Sequence, residues 1–277
     1  MKQRRSYAQV LINAPYLLWA AIFILVPLFI VAYYAFTDVS GAFTMANIKE
    51  LANYKQTFWI SIKYALIATA ITFVIAYPFA YFMSKKSEAK QQMMMLLVML
   101  PMWMNLLIRT YSWMNILERN GIINNLLGMM GLGPWKMIGT AGAVILGMVY
   151  NYLPYMILPI YTIMSKIDNS LLEAADDLGA HSFAKLRRII WPLSLPGVIS
   201  GIAMVFVPSI STFYISQKLG GGKIMLIGDT IERQIQTAYN YNLGAAISLV
   251  LMVFVLISMA VMNRFADDDG EGGGMIV

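Results

Sequence analysis

Glu173, Asp176 and Asp177 lie close together in the stretch EAADDLG, 173–179. Carboxylates so spaced could hold a cation, shuttle protons, or meet the arginines and lysines of another protein. The groups that would complete a catalytic set are missing. His181 is the one histidine, there is no cysteine, and the long apolar stretches contain no paired carboxylates. Disulfides, thiolate metal sites and thiol catalysis are therefore excluded, and no Ser-His-Asp set can form away from His181. GGGK at 220–223 fails as a phosphate loop, because Ile224 replaces the required hydroxyl residue and Gln217 the first glycine. The chemistry left to the acids is charge-assisted recognition of basic groups. Ala174 and Ala175 between them offer a smooth surface for close approach. The plainer alternative is a solvated amphipathic loop without a partner.

Those acids belong to a charged island, 165–192, between two apolar runs. Ser170 with Glu173 three residues on has the spacing of a capping box, and Asp168 and Asn169 are also good caps. The apolar spacing of Leu171, Leu172, Ala174, Ala175 and Leu178 predicts a helix over 171–178. Gly179 stands where a helix stops. A second, basic helix is expected from Ser182, carrying Lys185, Arg187 and Arg188 and ending near Pro192.

Around the island the chain is apolar: 59% of its 277 residues are hydrophobic and 12% are charged. Windows without charge run over 11–37, 64–84, 91–108, 137–165, 189–217 and 234–263. About 20 residues of helix cross a bilayer core, and no window alternates with a period of two. Six transmembrane helices are expected, giving an all-α polytopic membrane protein. The divisions are a tail at 1–14, a membrane domain at 15–264, and a disordered acidic, glycine-rich tail at 265–277. The window 120–135 is too short and too rich in Gly and Asn to span, and reads as an interfacial helix or re-entrant turn. The net charge of +6 fits Lys and Arg at membrane edges rather than nucleic-acid binding. A cytoplasmic N-terminus puts 11 of the 20 basic residues, and the island, on the inner side.

Within the spans, Asn105, Tyr150, Asn151 and Tyr152 are candidates to line a polar path. Aromatic faces there could hold an ammonium or simply pack against neighbouring helices. Gly197 and Gly201 form a small-xxx-small pair, serving contacts within the chain or with a second one. Nothing in the pattern suggests a metal site.

EAADDLG, followed after nine residues by Ile189, Ile190, Trp191 and Pro192, resembles the EAA motif of permeases of binding-protein-dependent ABC importers (type I). Trp191 departs from the usual leucine. The resemblance implies that 165–192 is a cytoplasmic coupling loop in which Glu173, Ala174, Ala175, Asp176, Asp177 and Gly179 meet the ATPase. It also implies the partners: a dimer of ATP-binding cassette ATPases, a second homologous permease, and an extracellular or periplasmic binding protein. ATP and Mg would sit on the ATPases, with no cofactor in this chain, which would not itself be an enzyme. PMWMNLLIRTYSW at 101–113, YNYLPYMILPIY at 150–161 and LGGGKIMLIGDTI at 219–231 are similar to the polyamine-type permeases of that family, the spermidine/putrescine B subunits. That similarity implies a bacterial cytoplasmic-membrane location, a polyamine-binding protein as partner, and a gate at Phe213 and Tyr214. Asp229 and Glu232 would face the binding protein or the passing cation. Against a direct attraction for polycations, the loop 109–136 sums to +2 and 218–233 to +1. The alternatives are an importer permease for another solute, such as an amino acid or phosphonate, and an ion-coupled secondary transporter. The latter normally needs intramembrane acids or histidines.

Overall fold

A computed structural model describes residues 15–271; the expected tail at 1–14 lies outside them, as do 272–277. Every named element among the described residues is helical, which is how a backbone satisfies its polar groups in lipid. The main helices are α1 Pro15–Ala35, α2 Lys55–Ser84 (led in by the short turns Ala46–Glu50 and Leu51–Tyr54), α3 Glu88–Trp103, α4 Leu106–Leu117 and α5 Ile122–Met129. They continue with α6 Ala141–Met164, α7 Asn169–Asp177, α8 Ser182–Ser211, α9 Tyr214–Leu219, α10 Ile227–Gln236 and α11 Tyr241–Glu271. Five are long and apolar enough to cross a membrane, and a bent pair makes up to six.

Two expected spans are not continuous. The third window is broken between α3 and α4, and α3 makes an 89° bend with the helical stretch that follows it. Met104 is extended (ψ 143°), and the Asn105 side chain accepts from the Leu107 amide at 2.7 Å, starting a new helix. The fifth window breaks at Thr212 and Phe213, between α8 and α9. The short α5 agrees with a non-spanning 120–135.

Proline acts differently from expectation at the island. The helix from Ser182 does not end near Pro192 but runs through it to Ser211. Leu186–Ile190 widen into a π turn in which the Trp191 amide reaches back to Leu186 O. The same device stands ahead of Pro27, where Val26 donates to Ala21 O. A proline ring crowds the preceding turn and has no amide to give; a wider turn accommodates both defects. At the other end, α11 continues through the acidic residues to Glu271, so 265–271 are helical, not a disordered tail. Extending a formed helix fixes one residue per bond gained.

By contacts the described residues form two units, 15–55 with 230–253 and 56–229 with 254–271. In the larger unit α6 lies along α8. Met156, Ile160, Val198 and Val205 are buried there. A Cβ on Gly197 would stand 2.7 Å from Pro159 O, and one on Gly201 2.7 Å from Met156 Sδ. The glycine pair therefore serves packing within the chain, where small residues let membrane helices approach. In the smaller unit Ala35, Ala245 and Ala246 form the core.

Candidate functional site

The island folds as a helix, a glycine turn and the start of α8. Its N-cap is Asp168, whose carboxylate accepts from the Ser170 amide at 2.9 Å; Ser170 sits inside the first turn instead of capping it. The Ser170 amide bond holds the Asp168 carboxyl below the usual range. The cap is thus present at neutral pH and is lost as pH falls through that lowered value. At the far end Gly179 has φ +76°, with Gly179 N bonded to Asp176 O at 2.8 Å and Ala180 N to Ala175 O at 2.9 Å. These two bonds make a Schellman motif.

Helical spacing could not say which face of α7 turns inward. Leu172 and Ala175 are buried, so Ala175 belongs to the chain's own packing and not to a docking surface. Glu173, Ala174, Asp176, Asp177 and Gly179 are exposed. A groove of about 300 Å³ beside the helix is lined by Glu173 and Asp176 on one side and Lys85 and Lys185 on another. Lys185 pairs with Asp176, and burial, then Lys185, lowers the Lys85 ammonium. Trp191 packs its ring on Tyr77 and Phe73, centroids 5.3 and 6.0 Å away. The indole thereby seats α8 on α2.

The second candidate site lies where the two broken helices meet. Tyr111 of α4 and Tyr214 of α9 are edge to face at 6.3 Å. The Lys218 ammonium stands 5.3 Å from the first ring and 5.7 Å from the second. A primary ammonium thus already shares this aromatic pair. Phe213 is 43% exposed at the break itself. Tyr152 bonds to Pro208 O at 3.3 Å and interacts with Thr212 and Arg109.

The remaining expected residues divide. Asn105 caps α4, and Tyr150 packs on Trp113 at 5.3 Å. Asn151 is 1% exposed, donates to Gly147 O at 2.8 Å, and has no partner for Oδ1. Asp229 is not a surface acid: it is 5% exposed and accepts from the Leu226 amide at 2.7 Å in the first turn of α10. Glu232 lies further along α10, partly buried. Sequence reasoning missed Tyr111 and Lys218, and put Arg109 in a loop. Arg109 is in α4, 8% exposed, with Nε and Nη1 unpartnered. All three stand in or beside stretches noted for resemblance, but only the fold pairs positions a hundred residues apart. Among the described residues no group of three or more His, Asp or Glu is placed to hold a metal. Removing the Asn105 cap (Asn105→Ala) should cost about 1 kcal/mol, read as a lower thermal midpoint in detergent.

Several spanning helices, two of them interrupted, and an exposed acidic helix between spans define a solute-translocating membrane subunit. Residues 76–267 match the family described as binding-protein-dependent transport system inner membrane component, and the chain belongs to that family. It is 39% identical over 256 residues to the spermidine/putrescine transport system permease protein PotB of Haemophilus influenzae, covering 89% of this chain and 90% of that one. PotB of Escherichia coli K12 is 35% identical, covering 89% of this chain and 93% of its own. The fold is that of a bacterial ABC transporter involved in import of the acidic polysaccharide alginate: TM-score 0.76, 17% identity, 96% of both chains. The alginate transporter in complex with a periplasmic protein carrying an alginate pentasaccharide matches equally, at TM-score 0.76 and 16% identity over 95% of both chains.

Proposed function

We propose that this chain is one of two permease subunits of an importer that moves spermidine and putrescine into the bacterial cytoplasm. The observation that carries the reading is the Tyr111–Tyr214 pair with an ammonium over both rings. It is supported by the identity to the two PotB proteins. A polyamine is a chain of such ammonium groups. In this reading Lys218 fills the aromatic pair until a substrate ammonium displaces it, and the breaks at 104–105 and 212–213 let the half-helices move apart. Phe213 closes the path, and Arg109 holds a fixed positive charge near Tyr152 against cation leak.

The partners are an ATPase dimer, a second, related permease, and a binding protein that delivers the polyamine from outside. The N-terminus and α7 face the cytoplasm, where the exposed acids of α7 meet basic residues of the ATPase. Nucleotide and Mg belong to that partner. This chain supplies docking and movement.

The test is uptake by proteoliposomes holding both permeases, the ATPase and the binding protein. Labelled spermidine should accumulate only with ATP. Tyr214→Ala should raise the KM about tenfold without changing the binding protein's affinity for the amine. Accumulation of an amino acid or phosphonate in place of polyamine, or uptake that follows an ion gradient instead of ATP, would overturn the reading.

A further inference from the structure

The smaller unit holds a cavity of about 550 Å³, formed where α1 ends and α11 begins. Tyr33, Tyr34, Tyr239 and Tyr241 border it, and Asp38 is the one charged residue in its lining. The four tyrosines are between 42% and 70% exposed. Asp38 Oδ1 accepts from Ser40 N at 2.9 Å, Ser40 Oγ at 2.6 Å and Ala42 N at 2.9 Å. The Ser40 hydroxyl first, then the Ala42 amide, holds this carboxyl below its ordinary value, so a fixed negative charge stands among aromatic faces. The walls are tied together. Asn242 Nδ2 donates to Thr37 O at 2.7 Å and Tyr34 O at 3.1 Å, and Asn47 Nδ2 donates to Thr37 O at 2.9 Å.

Tyr239 adds a second, independent sign. Its φ is +53°, and it is the one non-glycine residue with positive φ noted among those described. It closes α10 with Asn240 N bonded to Gln234 O at 2.9 Å, a position that glycine fills without strain. A tyrosine there is strained, and strain of this kind gathers where a side chain has a task. Exposed tyrosines at span ends also form interfacial belts. A belt explains the rings but neither the carboxylate among them nor the left-handed backbone.

We propose that this cavity binds a primary alkylammonium group, with Asp38 as its counter-ion and the face of Tyr239 as its wall. The ammonium could arrive on a soluble amine or on an aminophospholipid headgroup. The proposal stands apart from the reading of the Tyr111–Tyr214 pair and does not need it.

The test is equilibrium dialysis of labelled diaminobutane against the nucleotide-free permease pair with its ATPase dimer, without the binding protein, in detergent and in a Tyr214→Ala background so that the other aromatic pair does not report. Saturable binding is expected, uncompeted by neutral butanediol. Asp38→Asn keeps an acceptor for the loop amides while removing the charge, and should weaken binding about tenfold. Tyr239→Gly should weaken it similarly while keeping or raising the thermal midpoint, because it relieves the left-handed φ. No saturable binding, unchanged affinity in both variants, or equal competition by butanediol would overturn the proposal. Nanodiscs separate the two sources. Diamine binding lost in phosphatidylethanolamine but kept in phosphatidylcholine assigns the site to the lipid headgroup; equal binding in both assigns it to the soluble amine.

Discussion

Glu173→Lys should leave the chain inserted in the membrane and reduce ATP-driven uptake to background. Glu173 is exposed on α7 and lines the groove that also carries Lys85 and Lys185, so reversal adds a third cation to one already holding two. Losing one member of a desolvated charge pair across an interface costs about 2–5 kcal/mol, which weakens association at least ~30-fold. Gly179→Pro should have the same outcome for a different reason. Proline fixes φ near −65°, against the observed +76°, and removes the amide bonded to Asp176 O. Gly179→Ala is the control. A Cβ there meets nothing within 4 Å, so its cost is the left-handed backbone alone, about 1 kcal/mol, and much of the uptake should survive. Co-purification with tagged ATPase and proteoliposome uptake read all three variants. Undiminished uptake in Glu173→Lys would remove α7 from the coupling path.

Gly197→Ala should produce a large loss of stability for a single methyl. The added carbon would stand 2.7 Å from Pro159 O and 3.1 Å from Ile160 Cα, both backbone atoms of α6. A backbone cannot step aside as a side chain does, so α8 must lift from α6. Overpacking of this kind costs about 1–3 kcal/mol, and the upper end is expected here. Gly201→Ala should cost less, because its nearest neighbour is Met156 Sδ, and a thioether arm turns easily. Thermal midpoints of the two variants in detergent check the order. Equal midpoints for both would mean that α6 and α8 are not in contact at Gly197.

The spans were legible because a charge-free window of sufficient length has few other uses, and the island because its punctuation is local. The interruptions were not. Asn105 and Phe213 sit inside windows whose average hydropathy hides one extended residue. Asn105 is itself a good cap residue, yet it reads as a path residue until the Leu107 amide is seen on it. Spacing leaves Ala175 as free to face outward as Ala174, because helical spacing fixes which residues share a face, never which face meets the protein. Phe213 and Tyr214 came from resemblance, but Tyr111 and Lys218 did not, since their meeting joins α4 to α9 across the whole of α6. Asp229 looked like a surface acid because composition cannot separate a solvated carboxylate from one turned back to an amide at a helix start. The acidic end of α11 misled for a related reason: a polar sequence can prolong a helix that apolar residues have already begun.

The π turn ahead of Pro192 has a mechanical consequence. By letting the helix pass the proline, it joins the basic segment beside α7 to the break at Thr212 in a single run of 30 residues, about 45 Å long at 1.5 Å per residue. A beam of that length magnifies rotation. Pivoting about 5° at its base gives a stroke of about 4 Å at its tip, which in the proposed reading would pull an amine free of the two rings.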